Sequence, residues 1–204
     1  FHALIKGFSF LSAREKEGQK IMQKLSGKCV ANVVDPTLLL DRQQWSKLLD
    51  SHKKIADEKY VLGYFLTPNP VYIEAAKAYA YKNGYKFKMF YTDKSYYSVA
   101  DELITAGPIE FLQAIHDAQH LFTDSFHGSI FASIFTFKRF KNTITSQNSR
   151  VENLLKMMDI EERLLSEEDV ADIDKLEKIN FGHVWNQITP YITKSKEYLI
   201  HALE

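Results

Sequence analysis

Three side chains combine a charged or titratable head group with a place where an apolar strand-like run hands over to a helix-like one: Arg14, His127 and Arg150. His127 stands in the run Thr123-Asp124-Ser125-Phe126-His127-Gly128. Histidine is the side chain suited to moving protons near neutral pH. The first turn of a helix offers backbone N–H groups and a partial positive charge to an anion. Ser125 and Gly128 fall in that turn, and Asp124 is close enough in sequence to orient or charge-pair the imidazole. Arg14 and Arg150 add guanidinium forks that match phosphate and carboxylate oxygens. The chemistry to expect is capture of a compact anion carrying phosphate and carboxylate, with a proton moved beside it. Each residue also has a plainer reading. His127 can be a helix-cap or packing histidine, Arg14 can pair with Glu15 or Glu17 on a helix face, and Arg150 can pair with Glu152.

The elements that must position these residues follow from the hydrophobic pattern. Apolar runs at 4–11, 29–34, 59–66, 85–91, 119–122 and 140–146 read as strands, and the run 59–66 is continuous enough for a parallel strand covered on both faces. Between them lie helical patterns: 12–27 with Ser12 and Glu15 as a capping box and Gly27 as its close, 41–52 capped by Asp41, 71–83 closed by Gly84, 109–118 introduced by Gly107 and Pro108, 126–135, and 148–160 opened by Asn148 or Ser149. Asp35 stabilises the turn before Pro36. Residues 92–106 read as a loop with one short helix, 164–178 as an acidic, solvated connection, and 182–203 as a final helix with Trp185, Ile188, Ile192, Leu199 and Leu203 on its apolar stripe and Pro190 as a kink.

Strands alternating with helices predict βαβ units: a Rossmann-like, doubly wound α/β domain with a mainly parallel sheet and helices on both faces. The whole of 1–204 reads as one such domain, with its core at about 4–160. Ligands bind beyond the carboxyl ends of the strands in such sheets, where Arg14, His127 and Arg150 would stand along one edge. Lysine plus arginine and aspartate plus glutamate are 26 each, so no net field draws the chain to nucleic acid or an anionic membrane. No apolar run reaches membrane-spanning length. The single cysteine, Cys29, excludes an internal disulfide and reads as a buried thiol from a reducing compartment, so the expected location is cytoplasmic. His116 and His120 lack a third ligand at suitable spacing, so no metal is expected, and Gly63 belongs to no dinucleotide fingerprint. The abrupt apolar start suggests a fragment of a longer protein.

Read together, SARE with a following glycine (12–18), VVDPTLLLD ahead of a tryptophan (33–45), AGPIEFLQAIHDAQHLFTDSFHGSIFASIF (106–135) and NSRVENLL (148–155) resemble the polysaccharide pyruvyl transferase family over most of residues 8–160. The resemblance implies the second domain of a two-domain, GT-B-like glycosyltransferase architecture, with an N-terminal domain missing. It implies transfer of pyruvate from phosphoenolpyruvate, as donor substrate and with no further cofactor, onto two hydroxyls of a sugar or lipid-linked saccharide acceptor. The product would be a cyclic ketal in a bacterial surface polysaccharide. It puts the active-site histidine at His127, a donor-contacting arginine at Arg14 and a downstream basic contact at Arg150, where some members carry lysine. His127 would then assist proton transfer or bind the phosphate as a cation. The isolated domain is expected to be inactive. The alternatives are a glycosyltransferase using a nucleotide sugar, since fold does not fix function, and a non-catalytic glycan-binding module.

Overall fold

The computed structural model describes residues 2–49, 58–67, 69–92, 98–135, 140–143, 149–175 and 178–204. By contacts, the chain divides into two compact units: Phe1–Asp41 with Trp185–Glu204, and Arg42–Val184.

The first unit contains α1 (His2–Lys6), β1 (Ser12–Ala13), α2 (Lys16–Ser26), β2 (Ala31–Asn32) and a 3-10 turn, Pro36–Leu39. β1 and β2 pair in parallel as a two-stranded sheet of their own. A small core of Ile5, Leu11 and Val30 holds α1 and α2 against it. Three expectations change here. Residues 4–11 begin as a helix, because their apolar residues have no alternation to enforce a strand: Ile5 is buried while Leu4 is 73% exposed. Ser12 lies in β1, so the N-cap of α2 is Glu15, whose side chain makes no cap hydrogen bond. Cys29 is exposed. Gly27 does close α2, in the left-handed region at φ 68° with its N–H donating to Gln23 O, a conformation that glycine adopts without steric cost.

The second unit adds α3 (Arg42–Ser46), β3 (Tyr60–Tyr64), α4 (Pro70–Lys82), β4 (Lys86–Phe90), β5 (Glu102–Ile104), α5 (Pro108–Asp117), β6 (His120–Thr123), α6 (Phe126–Ile134), β7 (Phe140–Thr143), α7 (Ser149–Met158) and β8 (Leu164–Leu165). Its strands form one sheet in the order β5-β4-β3-β6-β7-β8, every neighbouring pair parallel. The chain works outward from β3 to β5, returns beside β3 as β6, and continues outward to β8. This is a Rossmann-like doubly wound sheet whose direction reverses between β3 and β6. Val61, Phe87, Met89 and Phe122 pack under α4 through Tyr72, Ile73, Ala76, Tyr79 and Ala80. On the other face Tyr60 donates to Ala114 O of α5 at 2.7 Å, and the ring of Phe111 sits 5.1 Å from Phe90 and 5.3 Å from Tyr64. Burial on both faces explains why these strands read as continuous apolar runs.

Two elements depart from the sequence reading. β5 lies in the stretch 92–106, read as a loop, because three residues with one buried side chain leave no periodic signal. The acidic stretch 164–178 supplies β8 and a 3-10 segment, Asp169–Lys175, and sends Leu165, Val170 and Ile173 into the core under α4. The strand end 144–146, Asn148 and the far part of the 41–52 helix lie outside the described residues. The last helix, α8 (Phe181–Leu203), buries Val184, Ile188 and Ile192, whereas Leu199 and Leu203 are exposed.

Candidate active site

β6 runs directly into α6, and Thr123 builds the junction. Its hydroxyl donates to Tyr64 O of β3 at 2.6 Å and accepts from Ser125 N–H at 2.9 Å. Ser125 is the N-cap, with extended backbone (φ −85°, ψ 129°) and Oγ accepting from Gly128 N–H at 3.3 Å, the arrangement that favours serine at a helix start. Ser129 and Ser133 return their hydroxyls to the carbonyls four residues earlier at 2.8 and 3.0 Å. The helix can therefore be buried without stranding polar side chains. From Gly128 to Ile134 every residue of α6 is buried, and Phe126 is half-buried; His127 alone on this helix is exposed. Its ring meets Phe126 edge-on at 5.4 Å.

Gly128 has a packing reason to be glycine. A Cβ there would meet Thr123 Oγ1 at 2.8 Å, Tyr64 Cδ1 at 3.1 Å and Ser125 Cβ at 3.3 Å. Asp124 is 6% exposed and faces the β3–α4 turn: Oδ1 accepts from Leu66 N–H at 2.6 Å and Oδ2 from Thr67 N–H at 2.8 Å. The carboxylate thus ties the carboxyl ends of β3 and β6 together. Sequence offers no sign of this bond or of the Thr123 latch, because the partners are 57 to 59 residues apart. Beyond them, Asn69 caps α4 through Val71 N–H at 2.9 Å and donates to Glu167 at 2.8 Å.

Arg150 is exposed at the second residue of α7, which begins past the carboxyl end of β7. Because β7 pairs in parallel with β6, His127 and Arg150 are the second residues of helices that follow neighbouring strands. Arg14 follows β1 in the first unit. Its guanidinium pairs with Asp35 and lies 3.5 Å from Glu15. Asp35 is 4% exposed, caps the Pro36–Leu39 turn by accepting from Thr37 N–H at 3.0 Å and Thr37 Oγ1 at 2.7 Å, and so holds the guanidinium against a rigid turn. The Glu15 pairing was legible in the sequence; the buried Asp35 partner was not. Arg14 and His127 accordingly follow strands of two different sheets.

His116 and His120 serve separately: His116 Nδ1 lies 3.0 Å from Asp117, and His120 packs edge-on against Tyr79 at 5.1 Å. Among the described residues, no group of three His, Cys, Asp or Glu side chains is placed to hold a metal ion. Two groups within the sheet are perturbed. Burial, helped by Asp117 and Glu102, pushes Tyr60 up. Burial opposes the charge of Lys88, but Glu102 and Glu58 more than offset it and raise its pKa.

At the switch point, then, a helix start capped by serine carries an exposed imidazole, and the helix after the neighbouring strand carries an exposed arginine at its second residue. This arrangement can hold a compact anion and exchange a proton with it. The sequence matches a family model, polysaccharide pyruvyl transferase, over residues 1–136. That stretch includes Arg14, Asp124, Ser125, His127 and Gly128 and ends before Arg150. No curated protein sequence matches the chain. Among the described residues, no helix is long and apolar enough to cross a membrane. With a match over 136 of 204 residues and a parallel α/β sheet flanked by helices, the chain belongs to the polysaccharide pyruvyl transferase family.

Proposed function

We propose that this chain carries the donor side of a cytoplasmic pyruvyl transferase that moves pyruvate from phosphoenolpyruvate onto two hydroxyls of a sugar in a bacterial surface polysaccharide. The observation that carries the reading is His127, exposed on an otherwise buried helix at the switch point, within the stretch matched by the family model. The chemistry asks for little else. One hydroxyl adds to C2 of phosphoenolpyruvate as the methylene carbon takes a proton and becomes a methyl group. The second hydroxyl displaces phosphate from the same carbon, closing the ketal, and its proton leaves with the phosphate. His127 is the group to shuttle these protons or, once protonated, to stabilise the departing phosphate, an effect worth roughly a hundredfold to ten-thousandfold in rate when it is general acid–base catalysis. The start of α6, with Ser125 and Gly128, suits the phosphate, and the fork of Arg150 suits phosphate or carboxylate. Arg14 belongs to the other compact unit, so its contribution to donor binding is tested separately.

Isothermal titration tests the reading with phosphoenolpyruvate and, in parallel, a nucleotide sugar. Phosphoenolpyruvate should bind, and His127→Ala and Arg150→Ala should each weaken it about tenfold or more, the scale of one charge-assisted contact. Arg14→Ala decides the role of that arginine by the same measure. No binding, binding indifferent to both His127 and Arg150, or preference for the nucleotide sugar would overturn the proposal.

A further inference from the structure

In a doubly wound sheet, the turn after the first strand at the switch point is where backbone N–H groups and a helix start ordinarily cradle a diphosphate. Here that turn joins β3 to α4, and three of its N–H groups are already engaged. Leu66 N–H and Thr67 N–H both donate to the Asp124 carboxylate, at 2.6 and 2.8 Å. Pro70, at the first position of α4, has no N–H, and Val71 N–H donates to Asn69 Oδ1 at 2.9 Å. The turn also contains no glycine between Phe65 and Pro70 to admit a close approach of phosphate to the backbone. Asp124 is 6% exposed, so its negative charge is fixed where an incoming anion would have to sit.

We propose that Asp124 is a built-in anion and a specificity-determining residue: by occupying the two amides of the β3–α4 turn it denies that turn to a diphosphate. Asp124 is then a positioning residue that never touches the donor. The inference concerns what the β3–α4 turn refuses, so it stands or falls independently of pyruvyl transfer.

The test follows the backbone amide resonances of the whole chain on addition of inorganic pyrophosphate. In the wild type, Leu66 and Thr67 should not shift, whatever happens at residues 126–128, which report on the α6 site and on the phosphoenolpyruvate reading instead. In Asp124→Asn, which keeps the shape but removes the charge and one acceptor, Leu66 and Thr67 should shift, with pyrophosphate bound about tenfold more tightly than by the wild type. Asp124→Ala, which leaves both amides without an acceptor, should melt lower and recover part of the loss when phosphate or formate is added. Shifts of Leu66 and Thr67 in the wild type would overturn the proposal. So would a folded Asp124→Asn whose turn ignores pyrophosphate. Should neither variant fold, the wild-type titration decides alone.

Discussion

Two glycines occupy the same helical position and should respond oppositely to the same substitution. Gly128 is the third residue of α6 and Gly18 the third of α2, so the intrinsic gain from Gly→Ala, up to about 1 kcal/mol in a helix interior and less near an end, is shared. Their surroundings differ. A Cβ on Gly18 meets only Ala13 Cβ at 3.7 Å, an ordinary contact. On Gly128 it meets Thr123 Oγ1 at 2.8 Å and Tyr64 Cδ1 at 3.1 Å. The hydroxyl cannot simply turn aside, because it bonds both Tyr64 O and Ser125 N–H. Overpacking of this kind costs about 1–3 kcal/mol, and each hydrogen bond lost adds about 1 kcal/mol. After subtracting the propensity gain, Gly128→Ala should destabilise by about 1–3 kcal/mol, while Gly18→Ala is neutral or stabilising by up to about 1 kcal/mol. Urea unfolding read by far-UV circular dichroism measures both. For a local reading, Trp45 lies edge-on to Phe131 of α6 at 5.0 Å, and Trp185→Phe leaves it as the sole tryptophan of the two in the chain. If Gly128→Ala proves as stable as the wild type, the latch between Thr123, Tyr64 and the helix start does not constrain α6 as described.

Two further outcomes follow from the core. The ammonium of Lys88 on β4 pairs with Glu102, its register partner on β5, and lies 3.3 Å from Glu58. Its pKa is raised above the ordinary 10.5 in the folded chain, so its stabilising contribution is present below that value and disappears as pH climbs through the raised one. Both acids are about half exposed, which limits Glu102→Gln to a loss of about 1 kcal/mol; denaturation at neutral pH and above pH 10.5 should show a difference from wild type that shrinks at the higher pH, and a difference that grows would contradict the pairing. Ile173 is 5% exposed in the core under α4, so Ile173→Ala should cost about 2–4 kcal/mol, whereas a solvated linker would lose almost nothing in the same urea experiment.

Much of the second unit could be read directly because its strands are buried on both faces and its helices have strong boundary residues. β3, β4 and β6 come within two residues of the apolar runs that predict them, and Pro70, Gly84, Gly107, Pro108 and Ser125 stand where helices begin or end. Short elements escaped. β5 and β8 are three and two residues long, too few for a period, and become strands only because β4 and β7 offer unpaired edges to pair with. The stretch 164–178 reads as solvated on composition, since six of its fifteen residues are acids; that Leu165, Val170 and Ile173 share a core depends on how its backbone turns.

The candidate site divides in the same way. Residue types along the chain determined that a histidine, with serine before it and glycine after it, would open a helix after a strand, because those signals are local and act within a few residues. Tertiary structure alone decided what surrounds it. Strand order put β6 beside β3 and made His127 a switch-point residue. It turned Asp124 toward Leu66 and Thr67, and it put Arg14 after a strand of a separate two-stranded sheet, paired with buried Asp35. Each of these depends on hydrogen bonds between residues tens of positions apart, which the local pattern of a single chain does not encode.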